Sequence, residues 1–115
     1  MTIRFPYARQ SITRDDVAAV AAAVEGPLLT QGPVLEAFEA ALADSLGARH
    51  AVVCNSGTAA LHLAYLALDL GPERGLVTTP ITFLATANAA RMCGAPVAFA
   101  DVDPATGNMA VEAAR

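Results

Sequence analysis

The 115-residue sequence contains no lysine: its seven basic residues are all arginine. No side-chain amine is therefore available within it to capture a carbonyl as a Schiff base. The arginines stand singly and the formal net charge is −4, so there is no basic stripe to neutralise a row of phosphates, and nucleic-acid binding is disfavoured. The first residues, Met1-Thr2-Ile3-Arg4-Phe5-Pro6-Tyr7, lack the apolar core of a signal peptide, and no uninterrupted apolar run reaches membrane-spanning length. Export and membrane insertion are not expected, and the cytoplasm is the expected location. Cysteine is scarce as well. Cys54 and Cys93 lack C-x-x-C spacing, and no histidine is placed beside them as in a zinc motif. They read as buried free thiols, with a disulfide between them as the alternative. No metal site is expected.

What is present is apolar and rich in alanine. With 55% hydrophobic and 16% charged residues, the composition is that of a globular domain. Alanine favours helix but removes less area from water per residue than leucine does. Thr13 followed by Asp15 and Asp16 reads as a capped, acidic helix start. Val17, Val20, Ala21 and Val24 mark one face of that helix, which Gly26 and Pro27 end. A connection over residues 28–33 leads to a second helix carrying Val34, Phe38, Ala41, Leu42 and Leu46, with Gly47 placed for a left-handed cap.

From residue 50 the rhythm changes. Residues 50–54 form a short apolar run suited to a buried strand, Asn55-Ser56-Gly57 a turn, and residues 58–68 a helix. A second strand is expected over 76–79, a loop over 80–83, a helix over 84–93 and a third strand over 96–100. This alternation implies an α/β fold with a mainly parallel sheet covered by helices. Residues 111–115 read as the first turn of a further helix. The expected division is residues 1–33 as an extended segment, helix and active-site loop, and 34–115 as the start of a large domain.

Three strand-to-helix junctions could carry chemistry. Ser56, Gly57 and Thr58 open a helix, where backbone amides and the helix dipole favour an anion such as phosphate; Gly57 permits close approach, and the Ser56 and Thr58 hydroxyls can add hydrogen bonds. The simpler reading is that Ser56 or Thr58 only caps the helix. Neither a Walker A loop nor a G-x-G-x-x-G turn is present. Phe83, in Thr79-Pro80-Ile81-Thr82-Phe83, lies at the next junction and could stack on a flat ring or fill the core. A phosphate cradle beside an aromatic suits a phosphorylated aromatic cofactor. Asp101-Val102-Asp103-Pro104 reads as a turn rather than a metal site. His62 reads as packed rather than catalytic.

Read together, these segments resemble the DegT/StrS-type family of pyridoxal-phosphate (PLP)-dependent nucleotide-sugar aminotransferases. The landmarks are Pro6-Tyr7, Arg9-Gln10-Ser11-Ile12, Leu29-Thr30-Gln31-Gly32-Pro33, Phe38-Glu39, Gly47-Ala48, Asn55-Ser56-Gly57-Thr58-Ala59-Ala60-Leu61-His62, Thr79-Pro80-Ile81-Thr82-Phe83, Ala85-Thr86-Ala87-Asn88, Gly94-Ala95 and Asp101-Val102-Asp103-Pro104. Within the family the pattern is nearest to transaminases of the pseudaminic acid pathway. The resemblance implies the N-terminal part of a fold-type-I (aspartate aminotransferase-like) large domain. It implies that Ser56, Gly57 and Thr58 hold the phosphate of PLP and that Phe83 stacks on its ring. It also implies that Tyr7, Pro27, Leu28, Leu29, Thr30 and Gly57 lie near a nucleotide-sugar substrate. The implied reaction moves an amino group from glutamate to a UDP-linked 4-keto-6-deoxy sugar in a homodimer.

The family's lysine and its acidic partner for the pyridine nitrogen have no counterpart in these residues, so no catalytic residue is assigned. The chain alone is expected to be inactive. Ala8 stands where a glycine is frequent, and Glu73-Arg74-Gly75 where Gly-Asp is common. Two other readings remain. Some relatives use histidine in place of the lysine and act as sugar dehydratases. Alternatively, the chain is a non-catalytic piece that binds a ligand or partner.

Overall fold

The computed structural model describes residues 8–114, and the chain divides into two compact units, residues 1–52 and 53–115. This partition groups the second helix with the first, whereas the division expected from sequence places it with residues 34–115.

In the first unit, helix α1 spans Arg14–Glu25. Its start is a reciprocal capping box. The Asp16 amide donates to Thr13 Oγ1 at 3.2 Å, and the Thr13 amide and hydroxyl donate to Asp16 Oδ2 at 2.7 and 2.8 Å, satisfying donors that a helix end leaves open. These bonds, the backbone one foremost, favour the charged carboxylate and hold Asp16 below its ordinary pKa. Helix α2 spans Pro33–Leu46 with proline in its first turn, where a missing N–H costs nothing. Its end is a Schellman motif: Gly47 adopts φ 62°, the Ala48 amide donates to the Ala43 carbonyl at 2.9 Å and the Gly47 amide to Asp44 at 3.2 Å.

In the second unit, helix α3 spans Gly57–Ala67. It too closes with a Schellman pattern, Leu70 N–H to Tyr65 at 3.0 Å and Asp69 N–H to Leu66 at 3.0 Å, with Asp69 at φ 56° in the place glycine usually takes. The Arg74 guanidinium donates to the Leu68 carbonyl at 2.8 Å, fastening the following turn to the helix end. Strand β1 (Leu76–Thr78), helix α4 (Ala85–Met92) and strand β2 (Val97–Phe99) form a β-α-β unit. The two strands are parallel, with Leu76 opposite Val97 and Thr78 opposite Phe99. Helix α4 packs on both strands and on α3.

The buried residues are small: Ala85, Ala89, Ala90, Ala95, Ala100 and Thr78 in this unit, and Gly32 and Ala43 in the first. Alanines let α4 lie close to the strands, but they bury little apolar area each. Large side chains such as Val20 and Phe38 stay exposed.

Residues 50–54 are not a strand. A strand exists through its ladder, and ladder pairing among the described residues joins only β1 to β2, two isolated bridges apart. The sheet thus has two strands rather than three among the described residues. Cys54 is exposed rather than buried, because the run that carries it lies outside the sheet, and Cys93 is half-buried at the end of α4. Both thiols are free. Asp101 and Asp103 serve the turn expected of them: Asp103 Oδ1 accepts from the Ala105 amide at 2.7 Å and Asp101 Oδ1 from Val102 at 2.8 Å. Residues Val111–Ala114 form one 3-10 turn. No helix among the described residues is long and apolar enough to cross a membrane.

Candidate functional site

The N-terminus of α3 is built by Ser56. Its extended backbone, φ −162° and ψ 156°, turns the chain into the helix, and its Oγ accepts from the Ala59 amide at 3.2 Å. Its carbonyl accepts from the Ala60 amide at 3.0 Å. Gly57 and Thr58 supply the first two amides of the helix, and these make no hydrogen bond within the described residues. They lie where the helix dipole is positive.

Gly57 and Thr58 share the wall of one cavity of about 790 Å3 with Ala60, Leu61 and Ala64 of α3 and with Phe83 and Ala85 at the start of α4. A Cβ built on Gly57 meets no atom within 4 Å, so packing within the chain does not demand glycine there. Phe83 is 75% exposed. Apolar walls, a few polar groups at one end and this volume are the ordinary features of a small-molecule pocket.

Of the residues singled out in the sequence, Gly57, Thr58 and Phe83 are thus brought together, and Ser56 stands beside them as the cap rather than on the cavity wall. Leu28, Leu29 and Thr30 line a cavity of about 420 Å3 in the first unit, with Gln31, Gly32 and Phe38 among its other walls; Pro27 is exposed just outside it. Tyr7 lies outside the described residues. His62 is half-buried on α3 and does not line the larger cavity. Among the described residues no cluster of three or more His, Cys, Asp or Glu could hold a metal ion. Sequence reading missed Ala60, Ala64, Leu61 and Ala85. The spacing of the first two on the Gly57 face of α3 was the available signal, but alanine in a helix carries no chemical flag.

The residues present fit a phosphorylated flat ring: two free amides and a hydroxyl at one end, an exposed phenyl at the other, and room at Gly57. The chain belongs to the DegT/DnrJ/EryC1/StrS aminotransferase family, whose sequence model matches residues 10–115. Among characterised relatives it is similar to the UDP-4-amino-4,6-dideoxy-N-acetyl-beta-L-altrosamine transaminase of Campylobacter jejuni, with 47% identity over 96 residues, 84% of this chain and 25% of the relative. It is also similar to the GDP-perosamine synthase of Caulobacter vibrioides, with 42% identity over 78 residues, 68% of this chain and 21% of that protein. The chain therefore spans about a quarter of the length of these relatives.

Helicobacter pylori PseC, an aminotransferase involved in the biosynthesis of pseudoaminic acid, superposes with a TM-score of 0.79 and 35% identity over 95% of this chain and 30% of that one. Spr1654 of Streptococcus pneumoniae, solved in a PLP form, gives a TM-score of 0.85 over 96% of this chain and 28% of that one at 24% identity, which speaks to the fold. The fold is that of the fold-type-I sugar aminotransferases.

Proposed function

We propose that this chain carries the phosphate-and-ring half of the active site of a PLP-dependent aminotransferase acting on a UDP-linked 4-keto-6-deoxy sugar, with glutamate as amino donor. The observation that carries the reading is that Gly57, Thr58 and Phe83 wall a single cavity. The Gly57 and Thr58 amides and the Thr58 hydroxyl donate to the cofactor phosphate, which the positive end of α3 favours. Phe83 would offer its face to the ring, and Leu61 and Ala64 would help to exclude water from the same cavity. Bound PLP supplies an electron sink for the carbon that loses its proton. Tyr7, Pro27, Leu28, Leu29, Thr30 and Gly57 are the proposed contacts of the sugar nucleotide. The protein works in the cytoplasm as a homodimer.

The test is an assay of the protein containing this chain with PLP, glutamate and a UDP-4-keto-6-deoxy sugar. The amino sugar and 2-oxoglutarate are the expected products. A deoxygenated keto sugar carrying no new amino group, with ammonia released, would place the protein with the histidine-type dehydratases instead. For the 115 residues by themselves a second reading is favoured by one observation, the absence of lysine: they bind the cofactor without turnover.

A further inference from the structure

We infer that Thr79 is a positioning residue for Phe83, setting the loop that presents the ring; this rests on the proposed cofactor site. Phe83 stands in residues 79–84, between the end of β1 and the start of α4. Its neighbours Ile81 and Leu84 are 72% and 69% exposed and Phe83 itself 75%, so apolar packing does not hold this loop. What holds it is polar and local. The half-buried Thr79 donates its hydroxyl to the Ile81 carbonyl at 3.2 Å, closing a turn over Pro80, whose ring fixes one backbone angle.

On the other side of Phe83 its own carbonyl accepts from the Thr86 amide at 3.0 Å. Helix α4 has no side-chain cap, and Thr82 Oγ1 lies 3.5 Å from Thr86 Oγ1 across its first turn, long for a hydroxyl pair. Thr79 is therefore the better-placed pin.

An exposed phenyl on a loose loop must be ordered by the ligand that stacks on it, and that ordering weakens binding. A pinned loop has its Cα–Cβ direction set beforehand. The cavity of about 200 Å3 on the β2 side, lined by Thr79, Thr82, Phe83 and Phe99 among others, shows that side-chain packing leaves this flank open, so the turn bond is what restrains it.

Thr79→Val keeps the shape and removes the hydroxyl; Thr79→Ser keeps the hydroxyl. Affinity for PLP and for inorganic phosphate, measured by competition in the full chain, separates the ring contact from the phosphate contact. Thr79→Val is expected to weaken PLP roughly three- to tenfold, the loss of one hydrogen bond, and to leave phosphate unchanged. Thr79→Ser is expected to match the unaltered protein. Backbone order parameters at Ile81, Thr82 and Phe83 are expected to match those of α4 and to fall in Thr79→Val, a readout that needs no ligand.

Unchanged PLP affinity in Thr79→Val, or an equal loss for PLP and phosphate, overturns the inference. So do order parameters that are already low in the unaltered chain. A chain that binds PLP no better than phosphate overturns the stacking reading itself, and the positioning role with it.

Discussion

The Ser56 hydroxyl accepts the Ala59 amide at 3.2 Å, and this bond decides which donors α3 offers to a ligand. A helix start has four amides without intrahelical partners. The Ser56 side chain takes that of Ala59, while those of Gly57 and Thr58 stay open; the Ala60 amide already makes the first helical bond, to the Ser56 carbonyl. A cap and an anion-binding role can therefore share this turn without competing, so the two readings of this motif in the sequence do not exclude each other.

Two substitutions at Ser56 separate these roles. Ser56→Ala removes the cap and should lower stability by about 1 kcal/mol, read as a lower Tm. Ser56→Asp keeps a capping oxygen, so Tm should hold, but it places a negative charge beside the phosphate. PLP affinity should then fall while affinity for pyridoxal, which lacks the phosphate, stays the same. Equal losses for both ligands would remove the anion from the account.

Gly57→Ala is the complementary case. The added methyl meets no atom within 4 Å, and alanine is the better helix former, so thermal stability should be unchanged or slightly higher. A methyl on the cavity wall obstructs close approach to the amides, and PLP binding should weaken. A variant both stable and fully competent to bind would show that the ligand does not approach Gly57.

At Gly75 the prediction is purely structural. A Cβ there would lie 2.8 Å from the Pro96 carbonyl oxygen and 3.0 Å from its Cγ, beside the bond of 2.9 Å from the Leu76 amide to that same oxygen. Gly75→Ala should push β1 from β2 and destabilise the second unit by about 1–3 kcal/mol, measured by denaturant unfolding.

The capping box of α1 gives a pH dependence. Asp16 is held below its ordinary pKa by its bonds to Thr13, so its contribution is fully present above the unfolded value. It is lost as pH falls through the lower folded one. Helicity of α1, followed by the Thr13 and Asp16 amide shifts, should therefore hold at neutral pH and fray only below about pH 4. Asp16→Asn should remove that acid-limb response.

Much of this architecture was legible because its signals are local. Thr13 with Asp16, and Gly47, act through the backbone within one turn, and each starts or ends a helix where the sequence places it. Asp69 was less legible: it adopts the left-handed cap at φ 56° while the more obvious glycine is Gly71. Residues 50–54 show the limit of local reading, because an apolar run states a capacity to pair and pairing needs a neighbour. The site divides in the same way. Gly57, Thr58 and Phe83 announce themselves through residue type at junctions, whereas the alanines that open the cavity and the Thr79 bond that steadies the loop emerge only from the folded chain.

The most direct test is a titration of the 15N-labelled chain with PLP, followed amide by amide. The Gly57 and Thr58 resonances should shift and saturate together with that of Phe83, while Ala59, held by Ser56, moves little. Saturable shifts confined to other residues, or none at millimolar PLP, would contradict the assignment of the phosphate to the start of α3.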